Sequence, residues 1–170
     1  MEEVILVDRD DNAIGTMEKM EAHEKGLLHR AFSVFIFNSK GQLLLQRRAD
    51  TKYHSGGLWT NSCCSHPRKG ETVQEAAARR VEEELGIEVN SEQLFSFIYK
   101  AELDNNLIEH ELDHVLIGNY ENAPVPNAEE VMEWKYADMD FIQKDIQEQP
   151  DLYTAWFKII LEKYLEHLKH

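Results

Sequence analysis

The sequence predicts an α/β fold, in which helices cover a mixed β-sheet as an α/β sandwich. Short segments rich in apolar and β-branched residues recur along the chain, and turn residues separate them, as expected of strands. Two longer segments, near residues 72–86 and 151–168, carry apolar residues at helical spacing. Strands that are mixed with helices and also form hairpins favour a mixed sheet with helices packed on it.

Seven segments are predicted to be extended. They are residues 4–8, 30–38, 42–48, 58–64, 94–103, 111–120 and 131–136. The turn residues 38–41 connect the second and third of these segments, which together predict a hairpin. The Asp-Asn-Asn sequence at residues 104–106 predicts the turn between the fifth and the sixth segment.

The clearest helix is predicted to begin after Thr72 and to end at Gly86. Thr72 and Glu75 have the spacing of a capping box, and a glycine is the usual C-terminal stop. One apolar face is predicted from the four-residue spacing of Ala77, Val81 and Leu85. A shorter helix is predicted after Asp138, ending before Pro150. The last helix has an apolar face predicted from Trp156, Ile160, Tyr164 and Leu168.

Length, composition and charge limit the class of protein. Residues 1–170 are predicted to form a single domain, since this is an ordinary domain length. No apolar run approaches the ~20 residues that span a bilayer, and the N-terminus lacks the features of a secretory signal. We therefore expect a cytoplasmic protein with no membrane partner. The net charge of −14 argues against a nucleic acid partner and favours a monomer or small homo-oligomer.

Cys63 and Cys64 are adjacent, so they are not expected to form a structural disulfide. In a reducing compartment both are predicted to be thiols.

Three histidines and two glutamates have the chemistry of a metal site. They are His23, His29, His66, Glu109 and Glu111. Residues two apart on a strand point to one face, so Glu109 and Glu111 can converge on one ion, and Cys64 shares a face with His66. Such donors suit Zn, Mn or Fe. Spacing alone cannot bring these residues together, and each could instead be solvated or hydrogen-bonded. The other histidines are interpreted as structural or surface residues: His54, His110, His114, His167 and His170.

The acidic residues on the helix after Thr72 could hold Mg, which prefers oxygen ligands and keeps waters that bridge to phosphate. The alternative is a solvated face on which each arginine pairs with a glutamate one turn later. These pairs are Arg79 with Glu83 and Arg80 with Glu84.

This helix and the loop before it resemble the signature box of the Nudix superfamily. The matching residues are Gly70, Glu71, Arg79, Glu83, Glu84 and Gly86. Two positions depart from the box. Ser65 stands where the box begins with Gly, and Arg80 stands where the diphosphate hydrolases carry a metal-binding Glu. Because the guanidinium of Arg80 offers a phosphate-binding fork in place of a carboxylate, this departure argues against hydrolysis.

Residues 59–67, Trp-Thr-Asn-Ser-Cys-Cys-Ser-His-Pro, precede this box. Together with the altered box and Glu109-His110-Glu111, they resemble the type 1 isopentenyl diphosphate isomerase family, over a span from about Leu6 to at least Trp156. The resemblance implies a Nudix-like α/β/α sandwich with a mixed β-sheet. It also implies an enzyme of isoprenoid biosynthesis that converts isopentenyl to dimethylallyl diphosphate through a tertiary carbocation.

Residue roles follow from this resemblance. Cys64 matches the catalytic cysteine, and Glu111 matches the catalytic acid, with Tyr99 beside it. Cys63 matches a variable position and is predicted to face away from Cys64. The implied ligands of a Zn²⁺ or Mn²⁺ ion are His23, His29, His66, Glu109 and Glu111.

The resemblance also implies how an isoprenoid diphosphate binds. Glu84 matches the residue that helps to hold Mg²⁺ on the substrate diphosphate. The cations that match diphosphate contacts are Lys19, Arg48, Lys52 and Arg80. Trp156 matches a pocket aromatic, whose face can stabilise a carbocation. Two other hypotheses stay open at this point, a Nudix-type diphosphohydrolase and a metal- or ligand-binding module without turnover.

Overall fold

The computed structural model describes residues 2–168, and His170 lies outside the described residues. The strands are β1 (Glu3–Val7), β2 (Ala13–Glu18), β3 (His29–Phe37), β4 (Leu43–Arg48), β5 (Trp59–Thr60), β6 (Cys63–Ser65), β7 (Glu92–Glu102), β8 (Ile108–Asn119) and β9 (Val131–Ala137). The α-helices are α1 (Lys19–Lys25), α2 (Val73–Leu85), α3 (Met139–Glu148) and α4 (Ala155–Leu168). Short 3₁₀ turns occupy Asp104–Asn106 and Pro150–Leu152.

The nine strands of the described region form one mixed sheet with β3 at its centre. Strand β8 runs parallel to β3 along one edge, in a register that places His29 opposite Glu111. Strand β6 pairs antiparallel with the other edge of β3, with Ser33 opposite Cys64. Antiparallel pairs of β7 with β8 and of β4 with β9 extend the sheet. Residues of β6 and β8 therefore lie on either side of the same central strand.

Helices cover both faces of this sheet. Helices α3 and α4 pack on one face, where Phe35 of β3 meets Phe157 and Ile160. Helix α2 packs on the other face, where Val34 of β3 meets Val81. Successive residues of a strand point to opposite faces, so an apolar strand such as β3 supplies both cores. This arrangement confirms the predicted α/β/α sandwich with a mixed sheet.

The capping box predicted at the start of α2 and the glycine predicted at its end are both present in the structure. The Thr72 hydroxyl accepts a hydrogen bond from the Glu75 backbone N–H over 3.1 Å, and the Glu75 carboxylate accepts one from the Thr72 N–H over 2.9 Å. Gly86 ends the helix with a φ of 66°. A Cβ atom at Gly86 would lie 2.4 Å from the Val125 carbonyl oxygen, so both the backbone angle and the contact require glycine.

Other local predictions need correction. Strands β3 and β4 pair only at Phe37 and Leu43, because β3 continues along β6 and β8 while β4 turns to β5 and β9. The predicted extended segment 58–64 is divided into β5 and β6 by residues 61–62. The last helix begins at Ala155 rather than near residue 151, because Pro150–Leu152 form a 3₁₀ turn.

Strand β2 and helix α1 were not predicted from the sequence. Helix α1 has only seven residues, which is too short to show a helical repeat. Its start is capped by the Glu18 side chain, which accepts from the Glu21 backbone N–H, and Gly26 ends it with a φ of 67°. This helix matters for function because it carries His23. In residues 2–168, none of the helices combines the length and the apolar character needed to cross a bilayer.

Candidate active site

The five predicted metal ligands lie together, and all of them are buried. Helix α1 carries His23, β3 begins with His29, His66 follows β6, and β8 carries Glu109 and Glu111. The Nε2 atoms of His29 and His66 lie 3.2 Å and 3.0 Å from Oε2 of Glu111. His23 Nε2 lies 4.0 Å from Oε2 of Glu109. The fold therefore gathers side chains that are up to 88 residues apart in the sequence.

Backbone contacts orient two of the histidine rings. The Nδ1 atoms of His23 and His29 lie 2.8 Å and 2.9 Å from the carbonyl oxygens of Lys19 and Leu27. A carbonyl only accepts, so each Nδ1 carries the proton, and the lone pair of each neutral ring is on Nε2. This is the arrangement of metal-binding histidines whose other nitrogen is held by the protein.

Two observations indicate that a cation belongs between these side chains. His23 Nε2 is buried and has no hydrogen-bond partner. Burial, aided by the charge of His66, lowers the pKa of His23 to about 3, so its ring is neutral near pH 7. The facing Nε2 of His29 and carboxylate of Glu111 would both be acceptors unless a proton or a metal ion lies between them.

The donor set fits a divalent metal ion. Four donors lie within 4.8 Å of one another, on His23, His29, His66 and Glu111. A second group with the same property contains His23, His54 and Glu109. Imidazole and carboxylate donors suit borderline divalent ions. Burial raises the pKa of Glu111, but the hydrogen bonds to His29 and His66 outweigh it and hold the pKa well below its usual range. Glu111 is therefore ionised, as a metal ligand must be.

Tyr99 joins the two carboxylates. Strand β7 places it opposite Glu111 in the sheet, and its hydroxyl lies 2.7 Å from Oε1 of Glu111. The same hydroxyl is hydrogen-bonded to Oε1 of Glu109. Burial, followed by the charges of Glu109 and Glu111, raises the pKa of Tyr99 well above its usual value. Tyr99 thus keeps its proton and shares it with two carboxylates.

Cys64 faces the same cavity from β6. The indole Nε1 of Trp156 donates to Cys64 Sγ over 2.9 Å. The thiol in turn lies 3.1 Å from Oδ1 of Asn61 and 3.6 Å from Oγ of Ser33, and either oxygen can accept its proton. Burial and then the charge of Asp113 raise the pKa of the Cys64 thiol well above its usual value. Cys64 is therefore a thiol at neutral pH in the absence of substrate.

Cys63 faces the opposite side of the sheet, as predicted. It is fully buried in the core beneath α2, and its Sγ lies 3.4 Å from Oε2 of Glu84. Cys64 instead packs against the core beneath α3 and α4. The alternation of a strand thus gives the two adjacent thiols different surroundings.

A small cavity joins these groups. Its walls are Phe32, Ser33, Arg48, Tyr53, His54, Cys64, Ser65, His66, Glu109, Glu111 and Trp156. A thiol, two carboxylates and an indole therefore meet around one small cavity.

Two of the cations predicted to contact the diphosphate, Arg48 and Lys19, lie at or beside the cavity. Arg48 lines the cavity, with its guanidinium carbon 5.3 Å from the centroid of the Trp156 ring. Its Nε is buried without a hydrogen-bond partner. Lys19 lies 4.2 Å from the ring centroid of Tyr53, a residue of the cavity wall, and forms an ion pair with Glu2.

Lys52 and Arg80 share a carboxylate that was not predicted. The Glu130 Oε2 atom lies 2.5 Å from Lys52 Nζ and 3.4 Å from Arg80 Nη2. Arg80 also pairs with Glu84 on its own helix, as the alternative interpretation of this face expected, and in addition with Glu83. Three of the four predicted cations are thus already paired with acids of the same chain, namely Lys19, Lys52 and Arg80.

Glu84 lies apart from the histidine cluster. It is buried on α2, where it contacts Gln46 at 3.1 Å and Arg80 at 2.9 Å in addition to Cys63. It belongs to neither of the metal-capable groups found in residues 2–168. Since α2 packs on the opposite face of the sheet from Cys64, the structure does not bring Glu84 into the cavity.

His54 is a cavity residue that the sequence interpretation missed. It was interpreted as structural or surface, but only 2% of it is exposed, and its Nε2 lies 3.2 Å from Oε2 of Glu109. Its spacing from the other histidines carries no signal, and only its position two residues after Lys52 could have indicated the site. His110 and His114 make other contacts, with the Gly26 carbonyl and the Asp11 carboxylate.

Comparison with known proteins gives the family. The NUDIX domain family matches residues 27–157. A protein of Photorhabdus laumondii named isopentenyl-diphosphate Delta-isomerase 2 is 52% identical over 162 residues, which cover 95% of this chain and 92% of that protein. The isopentenyl-diphosphate Delta-isomerase of Serratia proteamaculans is 49% identical over 161 residues, covering 95% and 90%.

Solved structures show the same fold at lower identity. DR0079 from Deinococcus radiodurans superposes with a TM-score of 0.78 at 21% identity and covers 96% of this chain and 99% of its own. The MutT protein from Methanosarcina mazei has a TM-score of 0.67 at 19% identity, over 84% and 96%. At these identities the structures establish the fold, and the more similar sequences establish the subgroup. The chain belongs to the NUDIX family and, within it, to the isopentenyl-diphosphate Delta-isomerases.

Proposed function

We propose that this chain converts isopentenyl diphosphate to dimethylallyl diphosphate for isoprenoid biosynthesis. Relatives that share about half of its residues over nearly its whole length are named for this isomerase. The structural observation that carries the proposal is the placement of Cys64 and Glu111, which line one cavity from the two strands that flank β3. Moving a double bond requires a proton to be added to one carbon and removed from another, so two separated proton-handling groups are needed.

Glu111 and Tyr99 are proposed to supply the acid. The Tyr99 hydroxyl is hydrogen-bonded to Glu111, so a proton is held next to that carboxylate in a buried site. In the free protein Glu111 is ionised and Cys64 is a thiol, so the forward direction begins with the transfer of one proton from Cys64 to Glu111. Protonated Glu111, hydrogen-bonded to Tyr99, then delivers a proton to the terminal methylene carbon of the alkene. The positive charge that results is on the neighbouring tertiary carbon.

Cys64 is proposed to remove the second proton, from the carbon between the cation and the diphosphate ester. The forward direction requires the thiolate, which is a strong base here because burial and Asp113 raise the pKa of the thiol. The Trp156 indole N–H donates to the sulfur and favours the thiolate form. In the reverse direction the two groups exchange roles, as microscopic reversibility requires.

Trp156 is proposed to stabilise the carbocation. It is only 2% exposed and borders the cavity beside the sulfur of Cys64. A cation over an indole face gains roughly 0.5–2 kcal/mol, and the ring contains no nucleophile strong enough to trap it. The buried walls also exclude water, which would otherwise add to the cation.

A Zn²⁺ or Mn²⁺ ion is proposed at His23, His29, His66, Glu109 and Glu111, because these buried donors need a cation to satisfy them. Such an ion would fix the two carboxylates and offset their mutual repulsion. We further propose that Mg²⁺ accompanies the diphosphate, with Glu84 as its protein contact and with Lys19, Arg48, Lys52 and Arg80 as the surrounding cations. Since Lys52 and Arg80 already share Glu130, the diphosphate would replace one anion by another.

Hydrolysis is the less favoured activity. Arg80 occupies the position at which related hydrolases carry a metal-binding Glu, and its guanidinium lies 2.9 Å from Glu84. A guanidinium at this position leaves one carboxylate fewer for the metal cluster that activates water in those hydrolases, and Glu84 remains as the proposed contact of a single Mg²⁺ ion. The proposal also includes a cytoplasmic location, since a catalytic thiol must stay reduced. It includes a single domain and a monomeric or small homo-oligomeric state, which gel filtration would test.

Single substitutions with an internal control test the assignment of acid and base. Cys64→Ser and Glu111→Gln are each expected to lower kcat for isomerisation by at least 10²–10⁴-fold, roughly the contribution of one positioned acid or base. Cys63→Ser is the matched control, because its hydroxyl can keep the bond to Glu84 and it faces away from the cavity. Near-normal turnover in Cys64→Ser, or an equal loss in Cys63→Ser, would overturn the assignment.

A further inference from the structure

His54 is a buried histidine of the cavity for which the mechanism above has no role. It lies in the loop between β4 and β5, where its Nε2 is 3.2 Å from Oε2 of Glu109 and its Nδ1 is 3.0 Å from Oγ of Ser55. Glu109 is thus contacted on both oxygens, by Tyr99 at Oε1 and by His54 at Oε2.

The partner of Nδ1 distinguishes His54 from the metal-binding histidines. His23 and His29 face backbone carbonyls, which only accept, and their Nε2 lone pairs are therefore free for a metal. His54 faces the hydroxyl of Ser55, which can donate. If the hydroxyl donates to Nδ1, then Nε2 carries the ring proton and lies 3.2 Å from the Glu109 carboxylate, an acceptor. Ser55, His54 and Glu109 then form one series, in which the His54 N–H lies next to the carboxylate of a proposed metal ligand.

The loop holds the His54 ring in one place. The Ser55 backbone N–H donates to Oδ1 of Asp104 over 3.0 Å, and Arg48 Nη2 donates to the His54 carbonyl over 3.1 Å. Ser55 itself has a φ of 54°, a left-handed conformation that this loop imposes on a non-glycine residue. On its other side the ring meets the Trp156 indole edge-on, with centroids 5.7 Å apart. The imidazole is therefore fixed between the metal-facing carboxylate and the indole.

We propose that His54 is a positioning residue of the metal centre, which donates Nε2–H to Glu109 and presents that carboxylate to the ion in one orientation. The inference rests on the proposed metal centre. Groups that hold a ligating carboxylate or imidazole typically change metal affinity 10–100-fold when they are removed. The competing arrangement makes His54 itself a ligand, together with His23 and Glu109, as their mutual distances permit.

Titration with Co²⁺ separates these arrangements, because the visible absorption of bound Co²⁺ reports the ligand set independently of turnover. The variants are His54→Ala and His54→Gln, and the matched control is His114→Ala, a histidine of β8 that pairs with Asp11. The glutamine amide can replace the Nε2–H donor but is a poor metal ligand. We expect His54→Ala to weaken Co²⁺ binding about 10–100-fold with an unchanged spectrum. His54→Gln should restore most of the affinity, and His114→Ala should match the wild type.

Each other outcome overturns the inference. Equal affinity in His54→Ala and wild type would show that Glu109 needs no support from His54. A changed spectrum in His54→Ala that His54→Gln does not restore would make His54 a ligand. Wild-type protein that binds no Co²⁺ would overturn the metal centre as well as this inference, whereas the first two outcomes leave the metal centre standing.

Discussion

Removal of the Tyr99 hydroxyl tests the electrostatics of the buried carboxylate pair. In Tyr99→Phe the ring keeps its stacked contact with Phe97, whose centroid is 5.5 Å away, so the change is confined to one oxygen. That oxygen is the donor shared by Glu109 and Glu111. A hydrogen bond to a charged group contributes about 1.5–3 kcal/mol. The free energy of unfolding of the chelator-treated protein should fall by about that amount.

The assay is urea unfolding with and without a saturating divalent ion. The loss should be smaller with the ion bound, because a cation between the carboxylates replaces the missing donor. Tyr136→Phe is the matched control, since its hydroxyl donates to the neutral carbonyls of Tyr120 and Asn122 and should contribute only about 0.5–1.5 kcal/mol. Turnover should fall in Tyr99→Phe alone. A loss of stability in Tyr99→Phe no greater than that in Tyr136→Phe, or a loss that the bound ion does not reduce, would overturn this expectation.

The remaining predictions concern protons, metals and the diphosphate. His23 has a folded pKa of about 3 against about 6.5 when unfolded, so below pH 6.5 the unfolded chain binds the extra proton and stability falls as pH decreases. In metal-free protein, His23→Gln should reduce the dependence of the free energy of unfolding on pH by up to about 1.4 kcal/mol per pH unit. Urea titrations at pH 4–6 in which the variant and the wild type show the same dependence on pH would contradict this prediction. Chelator-stripped protein should be inactive and should recover with Mg²⁺ plus Zn²⁺ or Mn²⁺, whereas activity without any metal would contradict the proposed centre. Glu130→Gln should strengthen inhibition by inorganic pyrophosphate, because Lys52 and Arg80 lose a competing anion. An inhibition constant that is unchanged or larger than that of the wild type would show that these cations do not contact the diphosphate.

Long elements with strong local signals could be predicted from the sequence. The capping box and terminal glycine of α2 are local interactions, and the structure contains both. Strand β3 was predicted because it is rich in apolar residues, yet the hairpin predicted with β4 accounts for only one residue pair along its edges. Only long-range packing decides that its edges pair with β6 and β8 rather than along the whole of β4. The short helix α1 depends on the capping side chain of Glu18 and on Gly26 more than on any periodic pattern.

The candidate site likewise combines features that depend on local sequence with features that depend on long-range packing. Alternation along a strand correctly predicts that Glu109 and Glu111 share a face and that Cys63 and Cys64 do not. The meeting of His23 with these carboxylates depends on the placement of α1, which no spacing rule supplies. The roles of His54 and Glu130 were not predicted, because both lie in irregular segments where neither alternation nor helical spacing indicates the direction of a side chain.

We expect this cavity to move a proton onto one carbon and to take a proton from another without breaking the diphosphate. Proton NMR of isopentenyl diphosphate incubated in heavy water with the metal-loaded wild-type protein follows both events directly. The expected product is dimethylallyl diphosphate with deuterium in its new methyl group, with no release of phosphate. Release of inorganic phosphate with an unmoved double bond, or recovery of unlabelled substrate, would contradict it.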